Sequence, residues 1–177
     1  RETVAVHEAG HALVSNMLEN VPNAIKVSII PRTKGMLGFS ESKIQEEKTL
    51  YYKEEFIDQI KVLMAGRAAE EVLLNSISSG ARDDIQRINK LLKQMINDYG
   101  MSDTLGLLNL NLDNNNFYNI NSNNLHNLSD SECLDVLHLY YLEVKDLLEK
   151  NKNKLIKIKD LLLQNDTILE EDIQNIF

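Results

Sequence analysis

The sequence contains only one cysteine, no basic run interleaved with aromatic residues and no long apolar run, and each of these absences argues against a class of protein. Because Cys133 has no partner in the chain, no intrachain disulfide can form, which fits a reducing compartment. Nucleic acid is not expected as a partner, since no basic run is interleaved with aromatic residues and the formal net charge is −8. No apolar stretch approaches the roughly 20 residues that span a bilayer, so no membrane contact is expected from these residues.

The 177 residues suffice for one domain with its own hydrophobic core. Hydrophobic residues make up 43% and charged residues 26%, which is usual for a globular protein. We therefore predict a single domain over residues 1–177, whose last part, residues 129–177, is helical. Because the sequence begins with Arg1 and not Met, we expect it to be part of a longer chain, with any targeting or membrane segment upstream.

Hydrophobic spacing predicts a mostly α-helical fold with a small β element. Three helices are predicted in the first hundred residues, at 1–19, 51–74 and 82–99. Two short stretches, 27–30 and 36–40, predict a β hairpin or a small sheet. Core packing is the ordinary interpretation of this pair. The functional alternative is an edge strand that pairs with an extended substrate.

The second half of the sequence contains an asparagine-rich tract followed by a long predicted helix. Ten of the nineteen residues at 109–127 are asparagine, which predicts a disordered, solvent-exposed insertion. Ser129 and Glu132 have capping-box spacing and predict the start of a helix that reaches about residue 164. Apolar residues at heptad spacing follow from 137 to 162, with Asn151 as the polar position, and we interpret them as packing within the chain. A short last helix is predicted over 168–177.

His7-Glu8-Ala9-Gly10-His11 lies within the first predicted helix and is the motif that carries chemistry. Residues four apart share a helical face, so both imidazoles can reach one ion, and Glu8 can take a proton from a metal-bound water. Zinc suits such ligands and leaves one position for water. Two ordinary surface histidines are the alternative interpretation. Glycine inside a helix costs about 1 kcal/mol relative to alanine, so we expect another element to pack closely at Gly10.

A third metal ligand is not adjacent to this motif. The remaining histidines, His126 and His138, are expected to be solvated or packed and not to bind metal. We therefore expect a carboxylate, and two pairs are candidates: Glu70-Glu71 late in the second helix and Asp83-Asp84 at the start of the third. The spacing of the residues leaves both pairs open.

Several segments resemble, in order, the protease domain of the FtsH family, the membrane-anchored AAA+ zinc metalloproteases of bacteria, mitochondria and chloroplasts. These segments are HEAGHAL at 7–13, IPR at 30–32 with LGF at 37–39, MAGRAAEE at 64–71, SGARDD at 79–84, and YGMS at 99–102 with LG at 105–106. The resemblance is strong over about residues 1–108 and weaker from 129 to the end. The asparagine-rich tract departs from the family in length and composition.

The resemblance implies a role for each candidate site residue. His7, His11 and Asp84 are expected to bind Zn²⁺, and Glu8 is expected to be the catalytic base. Glu70 falls on a glutamate that supports a ligand histidine. The neighbours Asp83 and Glu71 are expected to be ordinary helix-end or solvated charges.

The resemblance also implies a zinc endopeptidase that acts on unfolded or translocated protein. Its family context implies a homo-hexamer with an upstream AAA+ ATPase module, at an organellar (mitochondrial or plastid) or bacterial inner membrane. No Walker motif occurs in these residues, so ATP hydrolysis is expected upstream. A helical assembly module with structural zinc or no zinc is the alternative. The presence of Glu8 argues against it, because a structural site needs no base beside the metal.

Overall fold

The computed structural model describes residues 1–31, 38–42, 49–110 and 122–177, to which all structural statements refer. Six helices and three strands occur in these ranges: α1 (Glu2–Met17), β1 (Ala24–Ser28), β2 (Phe39–Ser42), α2 (Lys53–Leu74), α3 (Arg82–Lys93), α4 (Ser122–Lys150), α5 (Lys152–Asn165), β3 (Thr167–Leu169) and α6 (Glu170–Gln174). This confirms the predicted mostly α-helical fold with a small β element. None of the helices in these ranges is long and apolar enough to cross a membrane.

α1 lies at the centre of the fold and is buried from residue 5 to residue 15. It packs against α2, α5 and β1, so small or apolar side chains are needed around its circumference. Gly10 is the point of closest approach: a Cβ there would lie 2.4 Å from the carbonyl oxygen of Ala65 and 2.7 Å from Ala69 Cβ. The predicted close packing at Gly10 is confirmed, and α2 is the element that packs there.

The sheet has the strand order β2-β1-β3, and both pairs are antiparallel. The predicted hairpin is confirmed as the β1–β2 pair, in which Val27 lies opposite Ser40. Residues 36 and 37 of the predicted second strand lie outside the described ranges. The predicted short last helix over 168–177 is confirmed as α6, but its first two predicted residues lie in β3, where Ile168 pairs with Val27. A partner strand 141 residues earlier in sequence overrides the local helical pattern.

The capping-box interpretation of Ser129 and Glu132 is wrong, since α4 begins at residue 122. Both side chains point to the preceding segment instead. The Ser129 hydroxyl donates to Asn97 Oδ1 at 2.7 Å, and Glu132 accepts from the backbone N–H of Asp103 at 3.0 Å. Residues three apart also share one helical face, so the same spacing serves a tertiary contact. The prediction of a disordered insertion over 109–127 is wrong for residues 122–127, which form the start of α4, and 111–121 lie outside the described ranges.

The single long helix predicted to residue 164 is interrupted at Asn151, where φ is −113° between α4 and α5. The Asn151 side-chain amide donates to the carbonyl of Leu147 at 2.9 Å, and the backbone N–H of Asn151 donates to the same carbonyl at 3.2 Å. The heptad positions nevertheless face one core, and the most deeply buried are Val144, Leu148, Leu155, Ile158 and Leu162. Packing within the chain is thus confirmed.

The third predicted helix is regular only as far as Lys93 and continues as a π-helical turn, Gln94–Asp98. Gly100 follows it with φ +63°, a conformation that favours glycine at the end of a helix. Ile88 and Leu92 are buried, whereas Ile85 is 40% exposed. The carboxylate of the preceding residue, Asp84, faces α1. Because successive residues are rotated by about 100° around a helix, Ile85 points away from α1.

Candidate metal centre

Three side chains, two from α1 and one from α3, converge at the face of α1 that α2 covers. His7 and His11 lie one turn apart on α1, and their Nε2 atoms are 3.1 Å from each other. Asp84, in the first turn of α3, places Oδ2 3.2 Å from His7 Nε2 and 3.4 Å from His11 Nε2. Among the described residues these three side chains form a cluster able to hold a metal ion.

The three separations fit a tetrahedral zinc ion. Zinc binds nitrogen and oxygen ligands at about 2.0–2.1 Å, which places the ligand atoms of a tetrahedron about 3.3 Å apart. The observed separations run from 3.1 to 3.4 Å. Two imidazoles and a carboxylate are also the ligand types that catalytic zinc sites use, with one position left for water.

Hydrogen bonds on the far sides of the rings direct both Nε2 lone pairs to the same point. His7 Nδ1 donates to Glu70 Oε1 at 2.7 Å, and His11 Nδ1 donates to the carbonyl oxygen of Val62 at 2.7 Å. A carboxylate and a carbonyl only accept, so Nδ1 carries the proton in each neutral ring. The Nε2 atoms are therefore free to bind a cation.

The electrostatics of the cluster favour positive charge between the rings. Burial lowers the pKa of His7, but hydrogen bonds with Asp84 and Glu70 outweigh it and leave that pKa raised above 6.5. Burial would raise the pKa of Asp84, yet hydrogen bonds with His11 and His7 hold it far below its usual range. Asp84 is thus ionised at neutral pH, and a metal ion can take the place of the proton that His7 attracts.

Glu8 lies beside the histidine pair and is 7% exposed. Burial raises the pKa of its carboxyl, and the nearby His11 and His7 only partly lower it, so Glu8 is a stronger base than a solvated glutamate. The chain passes close to this carboxylate at Gly38, where a Cβ would lie 2.7 Å from Glu8 Oε1. Sequence reasoning assigned no role to Gly38, although a glycine inside a predicted strand, here 36–40, indicates such a close approach.

The four acidic candidates occupy different positions. Asp84 faces the Nε2 atoms, and Asp83 is exposed, as expected. Glu70 is 1% exposed and lies at Nδ1 of His7, on the opposite side of the ring from Asp84. The expectation that Glu71 is merely solvated is wrong, because it accepts from Tyr141 and Lys145.

Two hydrogen bonds of Glu71 connect α2 to α4. The Tyr141 hydroxyl donates to Glu71 Oε2 at 2.8 Å, and Lys145 Nζ donates to Oε1 at 2.7 Å. The Lys145 and Tyr141 hydrogen bonds lower the pKa of Glu71, while burial together with Glu71 raises the pKa of Tyr141 to about 12. Glu71 therefore links α2, the helix that covers the cluster, to α4. His126 and His138, by contrast, are exposed on α4 and lie outside the cluster.

Sequence reasoning also missed two contributions of α2. The Val62 carbonyl could not be found from the sequence, because every residue has one. Gly66 carried a signal, since a glycine within a helix costs about 1 kcal/mol relative to alanine, as at Gly10. A Cβ at position 66 would lie 2.5 Å from His7 Nε2 and 2.6 Å from His11 Nε2. Gly66 thus leaves room for both ligand atoms.

Gly66→Ala should therefore weaken zinc binding at least about 10-fold, because such sites tolerate displacements of only about 0.5 Å. Restoring an ordinary contact of 3.4 Å from 2.5 Å moves the methyl and the ring apart by 0.9 Å. Zinc titration against a competing chelator measures the loss. Unchanged affinity would show that the helices separate at no cost to the ligands.

A helix with the His-Glu-x-x-His motif whose two imidazoles meet a carboxylate from another element defines a zinc-dependent peptidase. The model of peptidase family M41 matches residues 1–176, and the chain belongs to this family. The resemblance to the FtsH family is thereby confirmed.

Three curated relatives illustrate the similarity. The ATP-dependent zinc metalloprotease FtsH of Clostridium perfringens is 38% identical over 99% of this chain and 25% of its own length. The mitochondrial ATP-dependent zinc metalloprotease FTSH 3 of Arabidopsis thaliana is 35% identical over 99% of this chain and 22% of its own. The FtsH of Syntrophobacter fumaroxidans is 44% identical over 61% of this chain and 17% of its own. The chain thus spans about a quarter or less of these relatives.

Proposed function

We propose that this chain is the proteolytic domain of an ATP-dependent zinc metalloprotease and hydrolyses peptide bonds of unfolded or translocated proteins. The observation that supports this most directly is the set of three ligand atoms, 3.1 to 3.4 Å apart, with a buried carboxylate beside them. A non-catalytic assembly module with structural zinc would have no use for Glu8 at this position.

His7, His11 and Asp84 would hold the ion, which when bound supplies Lewis acidity toward water and the scissile carbonyl. Glu8 accepts a proton from the attacking water at its carboxylate and later delivers it to the leaving amine. Glu70 and the Val62 carbonyl keep both imidazoles in the Nδ1–H form, so that Nε2 stays available.

The edge-strand hypothesis applies to the second of the two predicted strands only, because β2 is one of the two edge strands of the sheet and β1 is its central strand. Gly38, directly before β2, lies against Glu8, so a substrate that pairs with β2 would pass close to the base. Backbone pairing accepts many side chains, as a degradative protease requires.

The relatives are longer than this chain, and their names describe more than peptide hydrolysis. Their names describe ATP-dependent enzymes, some of them mitochondrial, and this chain matches about a quarter of their length. We propose an upstream AAA+ ATPase module, a homo-hexameric assembly and a membrane anchor in the full-length protein, at a bacterial inner membrane or in an organelle. Short unstructured peptides should then be cleaved by this chain without ATP.

Zinc content and casein hydrolysis, measured on the same preparation, test the proposal. We expect about one zinc per chain, loss of hydrolysis with a chelator and recovery when zinc is restored. Hydrolysis that survives complete removal of zinc would contradict the proposal. Bound zinc without hydrolysis of casein or short peptides would favour the assembly module.

Zinc affinity should fall as pH drops, beginning above pH 6.5. Because the hydrogen bonds with Asp84 and Glu70 raise the pKa of metal-free His7, protons compete with zinc for Nε2 below this raised value. The same raised pKa stabilises the metal-free fold at low pH, and this contribution is lost as pH rises through it. The gain in melting temperature on adding zinc should therefore grow from pH 5.5 to pH 8. A constant gain over this range would contradict the assignment of His7.

A further inference from the structure

Ser78 lies in the turn between α2 and α3 and contacts the carboxylate that supports His7. Its backbone N–H donates to Glu70 Oε2 at 2.6 Å, and its hydroxyl donates to Glu70 Oε1 at 3.0 Å. The direction of the second bond is settled, because a carboxylate only accepts and the same hydroxyl oxygen accepts from the Gly80 N–H at 3.1 Å. The backbone N–H and the hydroxyl of Ser78 therefore each have defined partners.

These contacts account for the orientation of Glu70. Glu70 is 1% exposed, and among the described residues its hydrogen-bond donors are Ser78 and the ring of His7. Without the hydroxyl, the backbone N–H of Ser78 still holds Oε2, but Oε1 loses one of its two donors. The carboxylate can then rotate away from the ring that it orients.

We propose that Ser78 is a positioning residue of the metal centre, which fixes the His7 ring by holding Glu70. The inference rests on the zinc site proposed above and adds a residue to it. Ser78 acts through Glu70 and touches neither the Nε2 atoms nor Asp84.

The same hydroxyl also connects His7 with the third ligand. By accepting from Gly80, it orders the 3₁₀ turn Ser79–Ala81, which continues directly into α3 and Asp84. The hydroxyl oxygen of Ser78 thus contacts both Glu70, which supports His7, and the turn that leads to Asp84. Loss of this oxygen should therefore loosen the metal ligands on both helices.

The effect on metal binding can be separated from an effect on folding. Ser78 is exposed, so removing its hydroxyl opens no cavity in the core. The neighbouring Ser79 is also exposed and is the matched control. Ser78→Thr keeps the hydroxyl and is the conservative variant.

Zinc titration against a competing chelator on the 177-residue chain gives the first readout. Ser78→Ala should weaken zinc binding roughly 3- to 10-fold, which is less than the 10–100-fold typical for the direct partner of a ligand. Ser78→Thr and Ser79→Ala should stay within about 2-fold of the parent chain. A Ser78→Ala variant that binds zinc like the parent would overturn the proposal.

The His7 ring gives a second readout that needs no metal. In the metal-free chain, NMR of the imidazole Nδ1–H should show faster solvent exchange in Ser78→Ala than in Ser79→Ala or Ser78→Thr. An unchanged signal would overturn the proposed route through Glu70. If the parent chain bound no zinc, the proposed function would fail, while this signal would still test the role of Ser78.

A double-mutant cycle tests whether the effect of Ser78 depends on Glu70. If Ser78 acts mainly through Glu70, Ser78→Ala should cause a smaller loss of zinc affinity in a Glu70→Ala background than in the parent chain, because only the contact with Gly80 is then left to lose. Fully multiplicative losses would show that the two residues act independently, which contradicts the proposal.

Discussion

Replacing Glu8 with glutamine should stop peptide hydrolysis while zinc stays bound. The change removes the buried base beside the histidine pair but none of the three atoms that surround the ion position. A loss of about 10² or more in kcat is expected, the lower end for a positioned general base. Cleavage of a short peptide and zinc content should be measured on the same sample.

Glu2→Gln is the matched control, because Glu2 lies on the same helix but is exposed. It removes the same charge from α1 and should leave both hydrolysis and zinc unchanged. If Glu8→Gln cleaves at the parent rate, Glu8 is not the base. If Glu8→Gln loses zinc, the carboxylate belongs to the ligand set.

Asp84→Ala should cause the largest loss of zinc affinity among the carboxylate variants, at least about 100-fold. Zinc bound by four ligands is worth about 10–16 kcal/mol, or about 3 kcal/mol for each. Asp84 Oδ2 faces both Nε2 atoms, so its removal leaves two imidazoles to hold the ion. Titration against a competing chelator measures the change.

Glu70→Ala should weaken zinc binding less than Asp84→Ala, about 10- to 100-fold, because it removes only the partner of His7 Nδ1. Asp83→Ala is the control for the start of α3, where Asp83 is exposed. It should bind zinc like the parent. If Glu70→Ala empties the site while Asp84→Ala retains the metal, the two carboxylates have been assigned to the wrong roles.

The elements that carry the motif could be predicted because local pattern and tertiary packing agree there. The spacing of His7 and His11 places them on one helical face, and the helical glycine at Gly10 indicated close packing that α2 provides. The choice between Glu70 and Asp84 could not be made from spacing. It depends on the turn at Ser79–Ala81, which brings the start of α3 to the rings.

Other features depend on contacts between residues distant in sequence. β3 forms because Ile168 pairs with Val27, although the local sequence also permits a helix. α4 begins at residue 122, within the asparagine-rich tract, so Ser129 lies inside the helix and contacts Asn97 instead of capping it. Composition describes a segment in isolation and does not include the surface on which it packs.

Zinc K-edge X-ray absorption on the loaded chain tests the ligand assignment most directly. We expect nitrogen and oxygen neighbours at about 2.0–2.1 Å, with the outer scattering of two imidazoles and no sulfur at about 2.3 Å. The Asp84→Ala chain, loaded at high zinc, should keep both imidazoles. A sulfur neighbour from Cys133, or fewer than two imidazoles in the parent chain, would show that zinc binds elsewhere than between His7, His11 and Asp84.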